Sequence, residues 1–139
     1  VSLFKVFDIS GSAMSAQSVR LNTTASNLAN ADSVSSSIDQ TYRARKPVFA
    51  ADLDRALSDR QESVGVKILG VVETNKPLQK EFSPDHPMAD AEGFIYKPNV
   101  NVVEEMTDML SASRNYQTNV QVADAAKQML QQTLRMGKG

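Results

Sequence analysis

The chain has no cysteine, a single histidine and few aromatic side chains (6%), and each scarcity removes a class of chemistry. Without cysteine there is no disulfide, no thiolate nucleophile and no sulfur ligand, and nothing records the redox character of its compartment. His86 alone would have to fill every imidazole role. A Ser/His/Asp arrangement needs that histidine beside a serine in a strained elbow, and no Gly-x-Ser-x-Gly occurs. A glycine-rich phosphate loop is absent too. Charge of one sign is also lacking: 15 Lys and Arg face 16 Asp and Glu, for a net charge of -1 and a pI near 5.8. With no basic run, nothing grips phosphates, which argues against nucleic acid. No apolar run approaches the roughly 20 residues of a membrane helix, so direct membrane insertion is not expected. The first residues do not read as basic, then apolar, then small, so the general secretory signal is not the expected route out of the cytoplasm. No enzyme, cofactor or metal site is expected.

What is present is helical periodicity at both ends. Over residues 101–135 a line of mostly apolar or small side chains recurs at steps of four and three. It runs Val102, Met106, Met109, Ser113, Tyr116, Val120, Ala123, Lys127, Leu130, Leu134. An average step of 3.5 keeps one stripe facing a partner helix, the pattern of a coiled-coil seam. Asn101 is placed to cap this helix, with Glu104 three residues on to complete a capping box. Glu104, Glu105 and Asp108 suit the positive end of the helix dipole, Arg135 and Lys138 the negative end, and Gly137 a stop. At 1.5 Å per residue the helix is about 50 Å long, more than a small domain covers.

Residues 2–30 predict a second long helix. Phe7, Met14, Leu21 and Leu28 fall a heptad apart. The companion line Phe4, Gly11, Ser18, Ala25 is small after its first member, which allows close approach of another helix. The fold class expected is α+β: long N- and C-terminal helices in an antiparallel, coiled-coil-like pair around a small β-rich middle module. The boundaries are 1–32 for the first helix, 33–41 for a Ser-rich connection, 42–98 for the module and 99–139 for the second helix. The connection reads as mobile or ordered by a partner, a solvated linker being the simpler reading. In the module, extended segments are expected near residues 42–50, 64–74, 78–82 and 93–96, with Pro47 confined to an edge and Gly70 at a bulge or bend. Residues 51–63 fit a short helix or a loop.

Charge is unevenly distributed. Eighteen of the 31 charged residues fall between Arg43 and Lys97. The C-terminal helix past its first turn is instead rich in neutral amides and hydroxyls, such as Asn115, Gln117, Asn119, Gln121 and Gln128. Such faces suit contact with protein, where burying a charge is costly and an amide finds partners; they equally suit a merely polar outer face. Four of the six methionines lie on this helix, serving either core filling or adaptation to unlike neighbours. The arms are expected to be poorly ordered alone and to fold among copies or relatives. His86 sits in a loop with Asp85, Asp90 and Glu92, but the spacing matches no metal signature, and turn formation explains it more simply.

Several stretches are similar to one family. They are Thr23-Thr24-Ala25-Ser26-Asn27-Leu28-Ala29-Asn30-Ala31, Tyr42-Arg43-Ala44-Arg45, Pro87-Met88-Ala89-Asp90 up to Gly93, Pro98-Asn99-Val100-Asn101-Val102-Val103-Glu104-Glu105-Met106, and Ser113-Arg114-Asn115-Tyr116-Gln117. Together they resemble the bacterial flagellar rod and hook family over nearly the whole chain. The Thr-x-Gly-Tyr-Lys that follows the first box in many relatives is replaced here by a longer Ser-rich insert. The resemblance implies a structural subunit of the proximal rod of the basal body, exported through the flagellar type III channel without a cleaved signal. Terminal helices would form an inner tube and the module would face outward, in a helical array that links the inner-membrane ring to the distal rod and transmits torque. Implied partners are other rod subunits and copies of the chain, with inner-membrane ring and export-gate proteins as neighbours in the periplasm. Asn27, Asn30, Asn99, Asn101, Arg114, Asn115 and Tyr116 fall in the family's boxes and become candidate assembly contacts. Phe7, Met14, Leu21, Leu28, Met106, Met109, Val120, Leu130 and Leu134 join them from the apolar lines. The rival reading is a soluble secretion-associated coiled-coil adaptor or translocator, which would form a cytoplasmic one-to-one complex rather than enter rod particles.

Overall fold

The computed structural model describes residues 2–53 and 64–139; the expectation of a short helix or loop over 51–63 falls mostly outside them. Helix α1 (Leu3–Ala29) is followed by a 3-10 turn (Ile38–Gln40). Strands β1 (Arg45–Ala51), β2 (Val66–Glu73), β3 (Gln79–Phe82) and β4 (Phe94–Lys97) come next, and helix α2 (Val102–Lys138) ends the chain. The architecture is α+β, with the two long helices packed against each other. The strands form two separate two-stranded sheets in the middle of the chain, β1–β2 and β3–β4. Every strand is therefore an edge, which is why Pro47 is tolerated inside β1.

The chain divides into two compact units. The first draws on Val1–Val19, Val48–Gly70 and Leu110–Gly139. Its covered helix positions are small: Ser10 and Ala16 on α1, Ala112 and Ala126 on α2. Small side chains let helix backbones approach closely, but they bury little apolar area. The start of β2 is seated on α1 by Ser12, whose hydroxyl donates to the Ile9 carbonyl (2.8 Å) and accepts from the Val66 N–H (3.0 Å). A Cβ at position 65 would stand 2.8 Å from that hydroxyl and would force it to shift. The Asp52 N–H donates to the Gly65 carbonyl beyond the end of the β1–β2 ladder (3.0 Å). Gly70, placed at a bend by the sequence, has φ +155° within β2.

The second unit comprises Arg20–Pro47 and Val71–Met109. Here β3 and β4 pair antiparallel, with Gln79 opposite Lys97 and Phe82 opposite Phe94. The Phe82 and Phe94 rings meet edge to face at 5.2 Å. Gly93 closes the loop at φ +85°, a backbone state other residues resist, and a Cβ there would lie 3.0 Å from the Phe82 ring. Ile95, Pro98 and Val100 are buried.

The Ser-rich connection is not a loose linker. Ser35 pairs with Tyr96 through both backbone bonds (2.9 and 3.0 Å), adding a one-residue rung to β4. Its hydroxyl then binds the Ser37 backbone, and Thr41 donates back to the Ser37 carbonyl (2.7 Å). Hydroxyls that signalled solvation from sequence satisfy local backbone groups instead.

The helix seam also differs from expectation. On α2 the buried positions are Glu105, Ala112 and Ala126, all off the apolar line, whose Met109, Ser113, Ala123 and Leu130 are half-covered. Met106, Tyr116, Val120 and Leu134 are exposed. On α1, Ser18 and Ala25 face outward, while Ala16, Thr23, Thr24 and Asn27 are buried. Large side chains thus flank a seam made by small and polar ones. Gly137 does not stop α2, which continues to Lys138.

Candidate functional site

Two asparagines dominate the second unit. Asn27, in the last turn of α1, is fully buried. Its Oδ1 accepts from the Arg45 N–H (2.9 Å) and the Tyr42 hydroxyl (2.8 Å), and its Nδ2 donates to the Arg45 carbonyl (2.8 Å). The side-chain amide thereby imitates a neighbouring strand, meeting both polar groups of one residue. Asn99, just before α2, accepts from the Ala44 N–H (2.7 Å) and donates to the Lys76 carbonyl (2.8 Å) and the Thr74 hydroxyl (3.0 Å). The Ala44 carbonyl takes the Thr74 N–H (2.8 Å). The two residues close on the Tyr42–Arg45 motif.

Asn30 and Asn101 serve the helix ends. Asn30 donates to the Ser26 carbonyl (2.8 Å) at the close of α1. Asn101 accepts from the Val103 and Glu104 N–H groups (3.1 and 3.2 Å), the expected N-cap. Glu104 turns to Lys46 and Lys76, each at 3.5 Å.

A charge cluster that no sequence pattern announced lies in the same unit. Lys46 from β1 reaches Glu105 and Asp108, both at 3.0 Å, and Arg20 from α1 meets Asp108 at 3.0 Å. Burial alone would lower the Lys46 pKa, but hydrogen bonds and charge from Asp108 and Glu105 outweigh it and raise the value. For Asp108, burial pushes upward and the Lys46 and Arg20 partners prevail, so its carboxyl is held below the usual range. The Glu105 side chain is 3% exposed, and its second oxygen has no partner among the described residues. The only advance hint was that Arg20 is one of three charges on an otherwise neutral helix.

The remaining candidates divide by exposure. Phe7, Met14, Leu21, Leu28, Met109 and Leu130 are half-buried. Met106, Arg114, Asn115, Tyr116, Val120 and Leu134 face outward. Beyond the candidates, Val103, Leu110 and Met136 are 74%, 70% and 80% exposed, and Val122, Met129 and Met136 repeat each heptad. Every residue from 131 to 139 is exposed. No helix among the described residues is long and apolar enough to cross a membrane.

Residues 7–35 match the family described as Flagella basal body rod protein, and residues 91–136 the one described as Flagellar basal body rod FlgEFG protein C-terminal. Both matched stretches carry one of the clamping asparagines. The flagellar basal-body rod protein FlgC of Salmonella typhimurium is 46% identical over 138 residues, 99% of this chain and 100% of that protein. The chain belongs to the FlgC family of flagellar basal-body rod proteins. Namesakes from Yersinia enterocolitica and from Buchnera aphidicola subsp. Acyrthosiphon pisum are 45% and 38% identical with the same coverage. Membership in the FlgC family makes the chain a structural subunit of the flagellar basal-body rod.

Proposed function

We propose that the chain enters the periplasmic part of the rod by packing the outward apolar lines of α2 against helices of neighbouring subunits. It carries torque there and helps to join the inner-membrane ring to the distal rod. The observation that supports this is the inverted character of α2: alanines and a glutamate line the covered side, while Leu110, Val122, Met129, Leu134 and Met136 face out. Two heptad-spaced outer lines, one through Val120 and Leu134 and one through Val122, Met129 and Met136, offer seams to more than one neighbour. Residues 131–139 are all exposed, so the last turns of α2 have no cover within the subunit. Neighbours are copies of the chain and other rod subunits, with inner-membrane ring and export-gate proteins at the base. Contacts that join unlike surfaces propagate as a helix instead of closing a pair. Arg114, Asn115 and Tyr116 contribute polar contacts from the same helix, whereas Asn27 and Asn99 act by shaping the subunit. Export uses the flagellar channel without a cleaved signal. No catalytic step is assigned.

The test is to place glutamate at positions 120 and 134 (Val120→Glu, Leu134→Glu) in a strain lacking the native chain. Expected are normal export, an unchanged melting temperature of the purified chain, and loss of rod particles and swimming. Intact rods would overturn the proposal, and a stable cytoplasmic one-to-one complex would favour an adaptor.

A further inference from the structure

A cleft of about 360 Å³ opens in the second unit, lined among others by Ile38, Arg43, Lys76, Leu78, Lys80 and Tyr96. Its lining holds three cations and no carboxylate. The Lys80 ammonium lies 4.0 Å from the Phe94 ring centre and 5.8 Å from that of Tyr96, and the Asp90 carboxylate of the same hairpin feels its charge without forming an ion pair. Lys76 shares Glu104 in an open pair at 3.5 Å. Among the described residues Arg43 has no ion-pair partner.

The other end of the same hairpin carries the opposite sign. The loop between β3 and β4 displays Asp85 and Glu92, both exposed and without ion-pair partners among the described residues. Asp90 is committed to the loop itself: it accepts from the Phe94 and Glu92 N–H groups (2.8 and 3.0 Å) and the Tyr96 hydroxyl (3.2 Å). The Phe94 bond leads in holding its carboxyl below the usual range. The β3–β4 register sets Asp85 and Glu92 in the connection beyond Phe82 and Phe94, while Asp90 reaches back to the Tyr96 hydroxyl beside the cleft.

We infer that the cleft receives the acidic tip of a second copy of this chain, with Asp85 and Glu92 facing Arg43, Lys76 and Lys80. The basis is charge complementarity between two ends of one hairpin, an arrangement that repeats head to tail. Made of exposed charges, each contact is weak and screened by salt. The inference rests on the proposal that copies adjoin in the rod.

A chain without cysteine makes the test clean. Full-length chains carrying Asn75→Cys in the cleft and Ala91→Cys on the tip replace the native chain in flagellated cells, and disulfides are formed by mild oxidation. A ladder of cross-linked copies is expected. Lys80→Glu should cut its yield at least tenfold, and adding Glu92→Lys should restore it. A parallel chain with Leu134→Cys and Val122→Cys reports packing along α2. If that pair cross-links copies and the 75–91 pair does not, the cleft inference fails while the rod packing stands. If neither forms, both fall. A 75-position product with another protein's mass, or a yield untouched by Lys80→Glu, also overturns it.

Discussion

Asn27 and Asn99 hold consecutive peptide units, Arg45 and Ala44, from the close of one helix and the approach to the other. Neither side chain touches a partner to do so. Each supplies strand-like hydrogen bonds where the chain has no strand to offer.

Asn27→Ala should destabilise the chain by about 2 kcal/mol, because it strands the Arg45 N–H and carbonyl beside a buried site, while the Tyr42 hydroxyl keeps Ser26. Asn27→Asp should also destabilise, since it keeps the acceptor but sets a second anionic oxygen against the Arg45 carbonyl. Asn99→Ala should cost about 2 kcal/mol, as Lys76 is exposed and water can replace part of its loss. Urea unfolding of the purified chain measures all three; a loss under 0.5 kcal/mol for Asn27→Ala would remove the clamp's importance.

Lys46→Met should cost about 2 kcal/mol by leaving Glu105 buried without its cation. That is less than for a fully buried pair, because Lys46 is one-third exposed. Adding Glu105→Leu should return at least half of the loss, since the stranded charge and its unpartnered oxygen go together. An additive double variant would mean that the two side chains do not act as a pair.

The pH dependence follows from the same cluster. Asp108 titrates lower in the folded chain than its ordinary 3.8, so its contribution is present above that value and fades as pH falls through the depressed one. Lys46 titrates above its ordinary 10.5, so its contribution holds below that and fades as pH rises through the raised one. Thermal melts from pH 2 to pH 12 should show a shallower acid limb for Asp108→Asn and a shallower alkaline limb for Lys46→Met. Equal limbs in variant and native chains would contradict the geometry.

Gly65→Ala should cost about 1–2 kcal/mol, because the new methyl displaces the Ser12 hydroxyl from the Val66 N–H. In a Ser12→Ala background the same change should cost much less, as the nearest remaining atom, the residue 12 Cβ, is at 3.4 Å. Melting temperatures of the four chains decide it.

Much of the fold was legible because it rests on local rules. The long periodic ends, the Asn101 cap and the strands near 64–74, 78–82 and 93–96 all follow from spacing and turn chemistry. What size alone did not tell was which face is covered within the subunit. Met106, Val120 and Leu134 lie on the same apolar line as Met109 and Leu130, yet close helix approach selected Ala112 and Ala126 and left those three exposed. A subunit made for an assembly has two sets of faces to cover, and hydrophobicity alone does not say which is covered first. The family boxes offered Asn27 and Asn99 as assembly contacts, but an amide that braces its own chain carries the same letter as one that greets a neighbour. The Lys46 cluster depends on three distant segments meeting, which no window of sequence contains.

The clamp also sets an order of events. Arg45 lies 18 positions past Asn27, whereas Ala44 precedes Asn99 by 55. The Asn27 contacts can therefore form within a short stretch of chain, whereas those of Asn99 need its final third as well. The second jaw carries the larger cost of loop closure, so the clamp shuts in two steps set by spacing along the chain.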